Sequence, residues 1–381
     1  MSVFYEVTGV PVNSVLLVMT QAEALDFQTG DISLAVCPAC GFVSNIRFDE
    51  GLTQYTERYE ATQGFSPTFN KFHRALAQDL IDRYDLRSKD IIEIGCDKGD
   101  FITMLCEMGN NRGVGFDPAY VPGRHPSAVE DNLTFIADFY SEKYADYRAD
   151  FVCCKMTLEH VPNTGEFMST VRRSMGERLD TTVFFQIPNA RYVFCEAAFW
   201  DIYYEHCSYF TKGSLARLFR RCGFDIMDLW TAYDDQYLMI EARPAESIPE
   251  AGPLPGEEST EETLGNVVYF VEHYEAKRAK WQQKLARMKV DGKKVVLWGG
   301  GSKGVAFLST LALSLDDIGY AVDINPNKTG TYMAGTGQEI VSPEFLLSYR
   351  PDVVIIMNPV YRQEITRDLV DMGLTPEILT M

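Results

Sequence analysis

Residues 91–100 read Ile91-Ile92-Glu93-Ile94-Gly95-Cys96-Asp97-Lys98-Gly99-Asp100, and the run Phe-Ile-Thr-Met-Leu-Cys-Glu-Met follows over 101–108. Apolar residues leading into an acid, then two glycines and a helical run, predict a buried strand, a tight turn and a helix. Such a turn offers backbone N–H groups and a helix amino end to a ligand, a geometry suited to nucleotide-type groups. Many α/β proteins use the same turn for packing alone, so this stretch leaves both readings open.

Working outward, strand-like and helical segments alternate: the strand into Gly95, then Gly113-Val-Gly-Phe-Asp-Pro118, Leu133-Thr-Phe-Ile-Ala-Asp-Phe-Tyr140, Ala149-Asp-Phe-Val-Cys-Cys-Lys-Met156 and Thr181-Thr-Val-Phe-Phe-Gln-Ile-Pro-Asn189. This alternation predicts an α/β protein with a doubly wound parallel sheet. Asp117 ends the second strand, 24 residues after Glu93, where a carboxylate can take both hydroxyls of a ribose. Asp138-Phe139 follows the third strand, where a carboxylate and a ring can hold an adenine. Leu158-Glu159-His160-Val161-Pro162 follows the fourth. A helix and an antiparallel pair near Gly223 and Leu238 are expected to close the sheet.

A net charge of -19 and a pI near 4.7 oppose nucleic-acid binding, which depends on Lys and Arg against phosphates. No apolar run approaches the roughly 20 residues that cross a bilayer. The first basic residue is Arg47, so no charged leader is read at the amino end, and a cytoplasmic location is expected. The nine cysteines, with Cys153-Cys154 inside a strand, read as reduced thiols.

Four segments are expected. Residues 1–66 form a small amino-terminal module of strands and turns. Its Cys37-Pro-Ala-Cys40-Gly41 has the form of half a zinc knuckle, but no second Cys or His pair lies nearby, so zinc is not expected. Tyr59, in an aromatic and charged stretch, is a candidate for lining a pocket before the glycine turn. Residues 67–243 form the central domain, opened by a helix starting at Ser66-Pro67. Residues 244–290 hold a linker with four prolines, Pro244 to Pro255, and a long helix with an apolar stripe at Leu264, Val267, Val271, Tyr274, Trp281, Leu285 and Met288. Residues 291–381 start a second βα unit in which Gly299, Gly301 and Gly304 fit G-x-G-x-x-G and Asp323 stands near the acidic position. Only one mononucleotide half fits there, so a nicotinamide cofactor is not expected. The loop can instead hold a phosphate through its amides and Lys303.

The densest chemistry follows the fifth strand. Gln186-Ile-Pro-Asn189 precedes Tyr203-Tyr204-Glu205-His206-Cys207-Ser208-Tyr209-Phe210. Histidine is the side chain whose intrinsic pKa best suits proton abstraction near neutral pH. Adjacent Glu205 and His206 point to opposite sides of an extended segment, so both reach one substrate only across a turn.

The series Glu93-x-Gly95-x-x-x-Gly99, Asp117 and Asp138-Phe139 resembles the class I S-adenosylmethionine-dependent methyltransferases, with Asp97 standing where the middle glycine usually sits. The whole chain resembles sugar C-methyltransferases that act on nucleotide-linked 4-keto deoxysugars, in which a zinc module, a methyltransferase domain and a Rossmann-like domain follow in order. Their Tyr-His-Glu-His signature stands here as Tyr203 to His206, and their glycine-rich Lys-Gly loop as Gly300-Gly301-Ser302-Lys303-Gly304. Two departures are plain: the family's first cysteine pair is absent, so its zinc site does not carry over, and Tyr204 replaces its first signature histidine.

The resemblance implies S-adenosylmethionine as cofactor, held by Glu93, Gly95, Gly99, Asp117, Asp138 and Phe139. It implies His206 as base, Glu205 as its orienting group and Tyr203 at the developing oxyanion. Tyr59, Asn189, Tyr209 and Lys303 are candidates for the nucleotide-sugar substrate. An O-methyltransferase using the same base, and a nucleotide-binding module without turnover, are the alternatives.

Overall fold

The computed structural model describes residues 1–124, 127–249 and 252–381, so residues 125, 126, 250 and 251 lie outside it. Strands β1 (Ser2–Pro11), β2 (Thr29–Val36) and β3 (Val43–Asn45) form an antiparallel sheet, with helix α1 (Gln21–Leu25) between the first two. Helix α2 (Pro67–Tyr84) begins at Ser66, whose Oγ accepts the Phe69 amide. Then come β4 (Asp90–Ile94), α3 (Asp100–Gly109), β5 (Arg112–Phe116), β6 (Leu133–Ile136), β7 (Phe151–Lys155), α4 (Thr164–Met175) and β8 (Thr182–Pro188). Helix α5 (Ala190–Cys195), the short β9 (Ser208–Tyr209), α6 (Lys212–Arg221), β10 (Phe224–Ala232) and β11 (Tyr237–Pro244) follow.

The central sheet runs β10-β11-β8-β7-β4-β5-β6, parallel except for β11, which is antiparallel to both neighbours. Its strands read as continuous apolar runs because helices cover both faces. Successive residues serve opposite sides: Cys153 and Phe184 pack with Leu76, Phe101 and Ile102 on the α2 and α3 face, and Cys154 and Phe185 with Met168, Leu215 and Phe219 on the other. Strand order reverses between β4 and β7, so the crevice outside their carboxyl ends is where an open α/β sheet binds ligands.

Helix α7 (Thr260–Val290) is capped by a Ser259–Glu262 box and leads to β12 (Val295–Trp298), α8 (Ser302–Thr310), β13 (Tyr320–Val322), β14 (Glu339–Val341), α9 (Leu346–Tyr349), β15 (Val353–Ile356), α10 (Arg362–Asp371) and β16 (Glu377–Thr380). The five strands are parallel in the order β14-β13-β12-β15-β16, with a second reversal between β12 and β15.

Two differences from the sequence reading matter. The amino-terminal sheet takes its fourth strand, β9, from the segment just after His206, so that segment is stitched to the first module. On α7 the buried face includes Phe270 in place of Val271, which is exposed. Phe270 packs edge-on to Tyr5 and Phe4, while Trp281 packs against Phe307 of α8, so this one helix braces the first and last sheets. No helix among the described residues is long and apolar enough to cross a membrane.

Candidate active site

Both strand reversals open onto one cavity of about 880 Å³ that is also lined by Val15 and Phe48 of the amino-terminal module. That volume falls within the range of small-molecule and cofactor sites.

The β4–α3 turn forms one end. Gly95 has φ 71° and Gly99 φ 88°, both left-handed. A Cβ on Gly95 would stand 2.0 Å from Thr157 Oγ1, and one on Gly99 2.5 Å from the Phe135 ring, so glycine is required by conformation and packing together. Glu93 is buried and its carboxylate accepts the Ile102 amide in the first turn of α3. Burial pushes its pKa up to about 8, against the pull of Lys155.

Asp97 adopts φ 48°, as a short polar residue tolerates, and its amide donates to Asp117 Oδ2 at 2.8 Å. Asp117 Oδ1 accepts the Ala119 amide at 2.7 Å, which leaves each carboxylate oxygen a lone pair for a ribose hydroxyl. Asp97 Oδ1 is shut off from solvent without a hydrogen-bond partner, and burial raises this carboxyl to about 7. Asp138 is lowered to about 2 by Lys143 and then Tyr144, and Phe139 lies 62% exposed at the rim, edge-on to Tyr55. Lys98 Nζ lies 3.6 Å from Asp97 Oδ1, and the ribose-type carboxylate of Asp117 and the free ring at the mouth fit an adenosyl ligand. Gly99 itself does not line the cavity, and it serves by shaping the turn.

His206 stands at the centre. Its ring lies 4.1 Å from the Tyr203 ring, 4.9 Å from that of His160 and 6.3 Å from that of Tyr209. Burial, with His160 and Lys303 adding, holds its pKa well below the ordinary value, so the ring is neutral and able to accept a proton. Residues 204 and 205 do form a turn, with the His206 amide bonded to the Tyr203 carbonyl. That turn sends Glu205 away from the cavity: its carboxylate accepts from Asn13 Nδ2 at 3.0 Å, the Ser14 amide at 2.9 Å and the Ser14 hydroxyl. Ser14 Oγ also reaches Ser302 Oγ at 2.8 Å, so Glu205 ties the amino-terminal module and the start of α8 to the His206 segment.

The carboxylate that faces His206 is Glu159, Oε1 to Nε2 at 4.0 Å. Glu159 is 1% exposed, neither oxygen has a hydrogen-bond partner, and burial raises it to about 8. Neighbouring His160 Nδ1 meets Tyr55 Oη at 3.0 Å, and burial lowers this ring to about 4. The sequence reading passed over Glu159 and Tyr55; the available signal was an acid–histidine pair directly after the strand at the reversal. Glu159, His160 and His206 could supply three ligand atoms within 4.8 Å of one another.

Of the substrate candidates, Tyr59, Asn189, Tyr209 and Lys303 all line the cavity. Asn189 is committed to backbone groups, accepting the Arg191 amide and donating to the Asp235 carbonyl. Lys303 Nζ pairs with both oxygens of Asp201, 2.6 Å from Oδ2. Tyr204 does not line the cavity; it is buried against Phe48, and its hydroxyl accepts the Asp49 amide. The family's first signature histidine is thus replaced here by a packing residue. Cys37 and Cys40 sit half-buried in the β2–β3 turn, far along the chain from any other cysteine, and all nine cysteines are free thiols.

Residues 69–229 match the family described as methyltransferase domain, and residues 256–373 match the C-methyltransferase C-terminal domain. C-methyltransferase NovU of Streptomyces niveus is 27% identical over 308 residues, covering 77% of this chain and 72% of its own. Among solved structures, the 1,6-didemethyltoxoflavin-N1-methyltransferase of Burkholderia thailandensis is 17% identical over 47% of this chain and 80% of its own, with a TM-score of 0.38. Magnesium protoporphyrin IX methyltransferase of Synechocystis PCC 6803 is 14% identical over 47% of this chain and 84% of its own, with a TM-score of 0.37. A region that matches a methyltransferase domain is followed by one that matches a C-methyltransferase C-terminal domain, and the chain is an S-adenosylmethionine-dependent methyltransferase.

Proposed function

We propose that the chain methylates the carbon next to the keto group of a nucleotide-diphosphate-linked deoxysugar, with His206 as base. The observation that carries this reading is the single cavity that joins the β4–α3 turn to the Gly299–Lys303 loop across a buried neutral histidine. Bound S-adenosylmethionine supplies an electrophilic methyl group at a sulfonium. The chain's own part is to bind, align and exclude water, the main requirements of such a displacement.

His206 takes the proton from the carbon adjacent to the ketone. Glu159, 4.0 Å from Nε2, is the nearest carboxylate to the imidazolium that results. Tyr203, with its ring against His206, and the Lys303 ammonium are the donors near the developing enolate oxygen. The nucleotide diphosphate lies toward the last domain, where Lys303 and Lys328 line the cavity.

The test uses S-adenosylmethionine with a panel of nucleotide-linked 4-keto deoxysugars, with methyl attachment read by NMR. A methyl shift typical of carbon supports the proposal, and one typical of oxygen replaces it with the O-methyltransferase. Changing His206→Asn removes a general base, worth 10²–10⁴-fold in rate. It should also abolish exchange of the substrate proton in deuterated water, and full exchange in that variant removes His206 as the base.

A further inference from the structure

Lys155 ends β7 and is buried, pointing to the α2 and α3 face as Cys153 does two residues before. Its Nζ lies 2.8 Å from Nε2 of His73 on α2 and 4.1 Å above the Phe101 ring. His73 is fixed in turn by rings on both sides, Phe69 at 4.1 Å and Phe101 at 5.3 Å between centroids. Burial lowers the His73 pKa well below normal, with Lys155 adding, so the ring is neutral and Nε2 accepts from the ammonium. Among the described residues no carboxylate stands within ion-pair distance of Lys155. Glu93 is the largest opposing charge, but its carboxylate is engaged by the Ile102 amide.

A buried ammonium without a close anion is costly, and such charges are retained where a partner completes them. Lys155, His73 and Glu93 all line the cavity, beside the amino end of α3, whose dipole favours an anion. Nothing in the proton-transfer chemistry of His206 uses this pair.

We propose that Lys155, held by His73, binds the carboxylate of the amino-acid end of S-adenosylmethionine. The reading rests on the cofactor lying at the β4–α3 turn. Lys155 then acts as a selector for the intact amino acid, with two ammonium protons free for the carboxylate while the third stays on His73. A charge-assisted bond of this kind corresponds to roughly ten- to hundredfold in affinity.

Calorimetric binding of two ligands tests this: S-adenosylmethionine and its decarboxylated form, which keeps the ammonium and the sulfonium but lacks the carboxylate. The unchanged protein should prefer the intact cofactor by at least about tenfold. Lys155→Met, an apolar side chain of similar length, should reduce that ratio below about threefold and leave binding of the decarboxylated ligand near its original strength. His73→Gln, which frees Nζ from its anchor, should give an intermediate ratio. A ratio retained in Lys155→Met, or equal weakening of both ligands, overturns the proposal and leaves Lys155 as a counter-charge for Glu93. Failure of the unchanged protein to bind either ligand would instead remove the cofactor site from this turn.

Discussion

The chain contains two glycine turns of the same design, after β4 and after β12, and their acids are paired differently. In each, an acid at the end of the next strand clamps the turn: Asp117 Oδ2 accepts the Asp97 amide at 2.8 Å, and Asp323 Oδ2 accepts the Gly300 amide at 3.0 Å. In each, a buried lysine bonds a nearby carbonyl, Lys98 to Ala119 and Lys328 to Gly300. The difference lies in what remains over. Lys328 also reaches Asp323 at 3.4 Å, so that acid is neutralised from within. Among the described residues Asp117 has no cation within ion-pair distance, because Lys98 reaches Asp97 Oδ1 instead, at 3.6 Å. The first turn keeps Asp117 with lone pairs for hydroxyls, whereas the second brings two lysines to the cavity, Lys328 against Asp323 and Lys303 against Asp201. Under the proposed function the first turn takes the adenosyl group and the second the diphosphate.

The largest expected contrast is steric. Gly95→Ala combines a left-handed φ of 71° with a Cβ at 2.0 Å from Thr157 Oγ1. Left-handed strain and overpacking together cost roughly 3 kcal/mol. Gly301→Ala has an ordinary negative φ and meets nothing nearer than Lys328 Nζ at 3.7 Å, so it should stay within about 0.5 kcal/mol. Chemical denaturation followed by circular dichroism measures both. Equal losses at the two positions would mean that the turns are not distinguished by packing.

The next contrast is in ligands. Asp117→Asn should weaken S-adenosylhomocysteine binding by roughly ten- to hundredfold, the range for hydrogen bonds to a charged acceptor. Asp323→Asn should leave that affinity within about twofold and raise the KM for the nucleotide sugar instead. Titration calorimetry and steady-state kinetics separate the two, and reversed sensitivities would exchange the assignments of the turns.

Much of this was readable from residues alone, because strand alternation and glycine turns are local signals. The β4 run, Asp117 at the end of β5 and the closing antiparallel pair all follow from short patterns of burial and turn chemistry. Glu205 shows where local reading stops. Its place next to His206 suggested an orienting acid, yet chain direction at a turn decides where a side chain points. Its partners, Asn13 and Ser14, lie some 190 positions away, as the hydrogen bond spanning 191 residues shows. Glu159 illustrates the converse: no periodicity announces that a carboxylate after β7 will stand over a histidine from beyond β8. The buried face of α7 shifted from Val271 to Phe270 for a similar reason, since its partners Tyr5 and Phe4 come from the first strand.

The remaining contrast is in the pH dependence of the unliganded protein, and it too belongs to the first turn. Burial raises Asp97 from 3.8 to about 7. Between those values the folded chain holds a proton that the unfolded chain has released, so stability from this group is present at low pH and is lost as pH rises through about 7. Glu93 and Glu159, each raised to about 8, act in the same direction over a slightly wider window. Asp97→Asn removes one of the three groups, so the fall in unfolding free energy between pH 5 and pH 8 should lessen by about 2.5 kcal/mol, two pH units at about 1.4 kcal/mol each. Denaturant midpoints across that range give the slope. An unchanged slope in Asp97→Asn would mean that the Asp97 carboxyl is already ionised in the free protein, and that the first turn, like the second, is neutralised by its own lysine.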